Sequence, residues 1–153
     1  MELKAEREKF IDLMGKLKEA DGFSPISGKI VGLLVFDGRP YSFSDLATEL
    51  GVSRGSISSN TRRLVEHGVL RKVNYEGDRQ DYFEMPTGMN DAMVASAIAR
   101  ASAAATAIRD LAADLPDSAE GPKTRIEDHA KFYDGIIEAI RHLTDHHFAE
   151  RQA

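Results

Sequence analysis

The sequence predicts a mainly α fold with one small β-hairpin, flanked by long amphipathic helices. Three observations carry this. Apolar residues recur at three- and four-residue spacing through most of the chain. Gly22, Gly51 and Gly68 each sit just past such a run, where a helix stops. The stretch from Val69 to Met85 changes to strand chemistry around a glycine turn.

Residues 2–20 read as a helix with Leu3, Phe10, Leu13, Met14 and Leu17 on one side. Ser24-Pro25 opens a second helix over 26–36, with Ile30, Leu33 and Leu34 inward. Proline suits the first turn, where its missing N–H would have no partner. Asp37-Gly38-Arg39-Pro40 is a turn. Ser42-Phe43-Ser44-Asp45 resembles a capping box with Asp45 in the place usually held by Glu. It opens a short helix through Leu50, with Leu46, Ala47 and Leu50 as its core face. Gly51 closes that helix and Ser53 caps the next, which runs to about His67 with Ile57, Thr61 and Leu64 inward. Val69–Asn74 and Asp81–Met85 are the two strands of a hairpin, joined through Tyr75–Arg79.

A long helix follows over 90–115. Val94, Ile98, Ala101, Ala105, Ile108, Ala112 and Leu115 alternate four- and three-residue steps, a heptad seam of small and branched residues. Such a seam allows close approach and suits a helix pair or a dimer stalk. Pro116 to Pro122 reads as a linker, and a last helix runs over 123–148 with Ile126, Tyr133, Ile137 and Ile140 on one side.

This order is that of a winged helix-turn-helix with long dimerisation helices: an N-terminal helix (1–21), a DNA-binding domain (22–88) and a C-terminal helical region (89–153). The outer helices are too long and amphipathic to stand exposed on a monomer, so a homodimer is expected. Its candidate contacts are Leu3, Phe10, Leu17, Ile98, Ala101, Ala105, Ile108, Ile137 and Ile140.

The net charge of −5 hides an uneven distribution. From Ser53 to Arg79 there are six basic and three acidic residues, while the rest of the chain carries 14 basic and 22 acidic. A short basic segment on an acidic chain is the footprint of a nucleic-acid face. There is no cysteine, which excludes disulfides, thiolate zinc sites and thiol redox switches. No apolar stretch approaches a membrane span. The charged start, Met1 to Arg7, lacks the apolar core of a signal peptide, so a cytoplasmic location is expected.

The informative segment is Phe43 to Leu64: two short helices joined by the tight turn Leu50-Gly51-Val52-Ser53. On the second helix, Gly55, Ser59, Arg62 and Arg63 fall opposite the buried side, flanked by Ser56 and Asn60. Arg54 sits in the first turn, the part of such helices that meets base edges. Arginine can bridge the two acceptors of guanine, and asparagine can pair with adenine. Ser53 and the free amides beside it suit a phosphate. Gly55 removes a side chain where the backbone must approach closely. Lys72 on the strand and Arg79 at the hairpin tip complete the expected double-stranded DNA contacts, Arg79 reaching a phosphate or the minor groove unless Asp78 holds it in an ion pair.

The run Pro25-Ile26-Ser27-Gly28-Lys29-Ile30-Val31-Gly32-Leu33-Leu34, followed by Ser44-Asp45-Leu46-Ala47, Ser53-Arg54-Gly55-Ser56-Ile57-Ser58, Thr61-Arg62 and Gly77-Asp78-Arg79, resembles the GbsR-type branch of the MarR superfamily. The resemblance covers residues 20–85. It implies an obligate dimer that represses neighbouring genes and is released by a small-molecule effector. That branch includes regulators of choline and glycine betaine uptake or synthesis, but no motif in this sequence fixes an osmolyte site.

Other chemistry fares less well. His142 and His146 are four apart on a helix, with His147 beside them, but no second helix completes a metal site, so no metal or cofactor is expected. A quaternary-ammonium cage would draw on Tyr41, Tyr75, Tyr82, Phe132 and Tyr133, which packing claims first. There is no Gly-x-Ser-x-Gly, phosphate loop or His-Glu-x-x-His, so no enzyme is expected. The main rival is a winged helix used for protein contacts in a transcription or chromosome complex. A second is a pure dimerisation adaptor built on the alanine seam.

Overall fold

A computed structural model describes residues 3–86 and 91–151, the side chains of 146–151 excepted. The chain divides into two compact units, Met1–Asn90 and Asp91–Ala153.

The first unit contains α1 (Lys4–Ala20), α2 (Pro25–Asp37), β1 (Tyr41–Ser42), α3 (Phe43–Leu50), α4 (Arg54–Glu66), β2 (Arg71–Val73) and β3 (Tyr82–Glu84). Serine caps open three of these helices. Ser24, Ser42 and Ser53 each accept the backbone N–H three residues on, from Ser27, Asp45 and Ser56, all at 3.1 Å. Glycine closes them: Gly51 follows α3 at φ +63° and Gly68 follows α4 at φ +71°, with Val69 N–H returning to Leu64 O at 2.9 Å. The core joins Ile30, Leu33 and Leu34 of α2 to Leu46 of α3, Ile57 and Leu64 of α4, and Tyr41 and Phe83 of the sheet, all buried. The sheet is antiparallel in the order β1-β3-β2, with Tyr41 opposite Phe83 and Lys72 opposite Phe83 on the other side. The sequence reading missed β1, because two residues are too few to show alternation.

α1 belongs to this unit. It packs along α2 rather than forming a segment of its own. The crossing is made by glycine: a Cβ on Gly28 would lie 2.2 Å from Met14 O and 2.6 Å from Gly15 Cα. Because the backbones come this close, the buried side of α1 is Ile11 and Gly15, not the leucine stripe. Leu3, Leu13 and Leu17 are 64%, 49% and 50% exposed. Phe10, expected at a dimer face, packs its ring 6.0 Å from that of Phe36 within the chain.

The second unit is a helical hairpin. α5 (Asp91–Ala113) and α6 (Glu120–Arg151) pack against each other, joined through a 3-10 turn at Asp117–Ala119. The heptad seam is the contact between them. Ala101, Ala105 and Ala112 are buried on α5, and Ala130 on α6. This corrects the assignment of Ala101 and Ala105 to a subunit interface, since the chain's own α6 covers the seam. Ile98, Ile108, Ile137 and Ile140 are half-buried. Arg109 and Asp134 pair across the hairpin. α6 starts earlier than expected: Pro122 lies in its first turn, where a proline costs no hydrogen bond. Among the described residues, no helix is long and apolar enough to cross a membrane.

Candidate nucleic-acid interface

α3 and α4 meet at a tight corner. Gly51 N–H bonds Thr48 O at 3.3 Å and Val52 N–H bonds Ala47 O at 3.2 Å, so the chain reverses within four residues. Leu46 and Ile57 plug the inside of the corner, both fully buried. The pair is therefore rigid, and α4 turns its other side outward. At 100° per residue, Gly55, Ser59 and Arg62 lie within about 60° of one another, opposite Ile57.

Ser53, Arg54, Gly55, Ser59, Arg62 and Arg63 are exposed, and Ser56 is half-buried. The amides of Arg54 and Gly55 have no acceptor among the described residues, because Ser53 caps only Ser56. The guanidinium of Arg54 lies 4.9 Å from the Phe43 ring centroid, which holds it at the α3 end of the corner. Ser59 donates to Gly55 O at 3.1 Å. Arg62 makes no hydrogen bond or ion pair among the described residues, and it lines a groove with Ser58, Phe43 and Lys72 between α4 and the sheet.

The hairpin beyond β2 turns through Tyr75–Asp78, with Asp78 N–H on Tyr75 O at 3.1 Å and Gly77 at φ +80°. That positive φ at the third position is what a type II turn requires. Among the described residues, Asp78 makes no ion pair with the Arg79 guanidinium. Its carboxylate accepts from Gln80 N–H at 2.9 Å and from the Tyr82 hydroxyl at 2.7 Å. The Gln80 N–H first, then the Tyr82 hydroxyl, hold this carboxyl below its ordinary range, and the bond to Asp78 pushes the Tyr82 phenol up. Arg79 is left exposed at the tip with no ion pair among the described residues. Lys72 is partly neutralised by Asp81 at 3.7 Å, and Arg71 pairs with Glu84.

Half of the chain, 77 residues, is 36% identical to the HTH-type transcriptional regulator MmpR5 of Mycobacterium tuberculosis, covering 47% of that protein. A stretch of 76 residues is 24% identical to the putative HTH-type transcriptional regulator YvaV of Bacillus subtilis, covering 43% of it. The chain thus spans about half the length of the curated relatives it matches. No protein-family model matches. A crystal structure of a transcriptional regulator superposes with a TM-score of 0.67 at 25% identity, over 92% of this chain and 99% of that one. The fold is that of a winged helix-turn-helix regulator. These relatives are regulators rather than enzymes.

In winged-helix terms, α4 occupies the position of the recognition helix and the β2–β3 hairpin that of the wing. Two of the residues expected to contact DNA also have partners within the chain. Asn60 is half-buried, and its carbonyl oxygen accepts from the hydroxyls of Ser27, at 2.8 Å, and Ser24. Its amide donates to Ser56 O at 2.7 Å. In this conformation Asn60 ties α4 to the start of α2 rather than facing outward. Arg63 donates to Gly22 O at 3.2 Å and lies 4.6 Å from the Phe23 ring centroid. Periodicity placed both residues on the helix surface; it carried no sign of the turn before α2 that claims them.

One cluster escaped the sequence reading entirely. Arg7 of α1 binds Asp37 through two nitrogens, at 2.8 and 2.7 Å, and reaches the Tyr41 hydroxyl at 3.3 Å and Glu49 at 3.2 Å. Arg7 holds the Asp37 carboxyl below its ordinary range, while burial first and the bond to Asp37 second push the Tyr41 phenol up. Arg39 stacks 3.8 Å from the Tyr41 ring centroid. No short-range pattern links residues 30 and more apart. Of the aromatics weighed as a cage, Tyr41 is thus spent in the core, Tyr75 and Tyr82 meet edge-on at 4.7 Å in the wing, and Phe132 meets Tyr133 on α6. His146 and His147 lie outside the described side chains.

Proposed function

We propose that this chain is a sequence-specific, double-stranded DNA-binding transcriptional regulator of the GbsR-type branch, acting in the cytoplasm as a homodimeric repressor on a pseudo-palindromic operator. The observation that carries the reading is a recognition helix presenting exposed Ser53, Arg54, Gly55, Ser59 and Arg62, with exposed Arg79 at the wing tip in no ion pair among the described residues. Ser56 and Lys72 stand at its margins. Two such helices enter successive major grooves, about one helical turn apart. The exposed Leu3 and Leu17 of α1, and the half-buried Ile98, Ile108, Ile137 and Ile140, are the residues we assign to the subunit contact. A small-molecule effector that releases the operator belongs to the same reading and rests on the motif resemblance.

The test is selection from a randomised duplex library at moderate salt, with an Arg62→Ala/Arg79→Ala double variant alongside. Enrichment of an inverted repeat by the native protein, lost in the variant, is expected. No enrichment by the native protein would overturn the reading and favour the winged helix as a protein-contact module.

A further inference from the structure

The turn between α1 and α2 grips the recognition helix along a single stripe. Asn60, Arg63 and His67 follow one another at three- and four-residue spacing, so they share a side of α4, between the core face and the outward face. All three engage residues 22–27. Asn60 takes the Ser24 and Ser27 hydroxyls, Arg63 takes Gly22 O and the face of Phe23, and His67 meets Phe23 edge-on at 5.2 Å. The turn is itself held. Ser24 caps α2, Phe23 N–H closes α1 on Lys18 O at 3.0 Å, and Lys18 lies 5.4 Å from the Phe23 ring centroid. Ser27 is 0% exposed, so its hydroxyl has been committed to the protein interior.

We propose that this latch is a positioning device: Asn60 and Arg63 set the angle of the recognition helix relative to α1 and read no base. The inference rests on the operator-binding reading above. A latch of this kind controls spacing. If α1 joins two subunits, the angle between α1 and α4 determines how far apart the two recognition helices stand, and so which half-site separation is accepted. Within each half-site, base choice stays with Arg54, Ser59 and Arg62. The polar character of the stripe fits this role, since directional hydrogen bonds fix an angle where apolar packing alone tolerates sliding.

The test compares native protein, Asn60→Ala and Ser27→Ala on the enriched inverted repeat and on versions with the spacer lengthened or shortened by one base pair. Ser27 is buried and cannot reach DNA, so it loosens the latch without touching a reader. Both variants are expected to bind the native spacing about tenfold more weakly, the size of one lost hydrogen bond. They should discriminate less between spacers, and should keep the base preferences and the salt dependence of the native protein. If Asn60→Ala changes the preferred base at one position while Ser27→Ala does not, Asn60 is a reader and the proposal fails. If both variants bind every spacer as the native protein does, it fails too. Should the native protein enrich no duplex, the operator reading falls and takes the latch's purpose with it. Amide exchange faster in residues 22–27 of both variants, with native helix content and a single cooperative melting transition retained, would show that the substitutions loosened the turn rather than unfolded the protein.

Discussion

At the scale of single residues, two glycines on helices have opposite meanings. Gly28 lies where α1 and α2 touch through backbone, and a methyl group there would collide with Met14 O at 2.2 Å. Backbone cannot step aside as a side chain can. Gly28→Ala is therefore expected to destabilise the protein by about 1–3 kcal/mol in urea unfolding, or more if the helices separate. Gly55 has only Ser53 Oγ nearby, at 3.8 Å from a built Cβ, and its φ is not positive. Gly55→Ala should stabilise the free protein by about 0.5–1 kcal/mol through helix propensity. The same methyl group stands on the outward face, so operator binding should weaken while the melting temperature rises. An unchanged affinity would remove Gly55 from the interface. Arg62→Ala should cost about 1–3 kcal/mol of specific binding if the guanidinium reads a base, and should weaken random DNA equally if it meets a phosphate.

At the scale of elements, caps and one ion-pair cluster stand out. Among the described residues, Ser53 is the side chain that caps the N-terminus of α4. Ser53→Ala should lower stability by about 1 kcal/mol and lower DNA affinity as well, because the same turn carries the free amides. The Arg7–Asp37–Tyr41–Glu49 cluster binds α1, the end of α2, β1 and α3 together. Asp37 is depressed below its ordinary value of 3.8, chiefly by Arg7. A depressed carboxyl contributes stability that is complete well above that value and fades as pH falls towards and through the lower folded value. Asp37→Asn is thus expected to cost about 1–2 kcal/mol at neutral pH, and the gap to the native protein should close in acid below about pH 4. A gap constant from pH 7 to pH 2, measured by denaturant titration, would mean that the charge is not what Asp37 contributes. Much at this scale was legible beforehand. Ser24-Pro25 as a helix start, Ser42 and Ser53 as caps, Gly22, Gly51 and Gly68 as stops, and Ile57, Thr61 and Leu64 as the buried side of α4 all follow from contacts within one turn of helix. β1 did not follow, since its pairing partner lies some 40 residues away at Phe83 and Tyr82.

At the scale of the whole molecule, the apolar surface left over is the guide to assembly. Leu3, Leu13 and Leu17 of α1 and Leu111, Phe132 and Leu143 of the helical hairpin are each 49–64% exposed. Under the homodimer proposal, Leu3→Glu/Leu17→Glu should shift sedimentation from dimer towards monomer while leaving helix content unchanged. Native protein that sediments as a monomer would defeat that proposal. DNA affinity should fall linearly with salt on logarithmic axes, and each phosphate-contacting cation removed should flatten the slope by about one.

What the sequence determined by itself was local: helix extents, caps, stops, the glycine corner of the helix-turn-helix and the wing turn. These depend on neighbours three or four residues apart, which periodicity and turn chemistry report directly. Tertiary structure alone decided what each buried face is buried against. A seam of alanines on α5 reads the same whether a partner subunit or the chain's own α6 covers it, and the structure spends Ala101 and Ala105 inside one chain. Likewise, Asn60 and Arg63 sit on the helix surface by spacing, and only the folded turn at residues 22–27 claims them. Periodicity measures the angle of a side chain about its own helix; it holds no record of which distant segment arrives there.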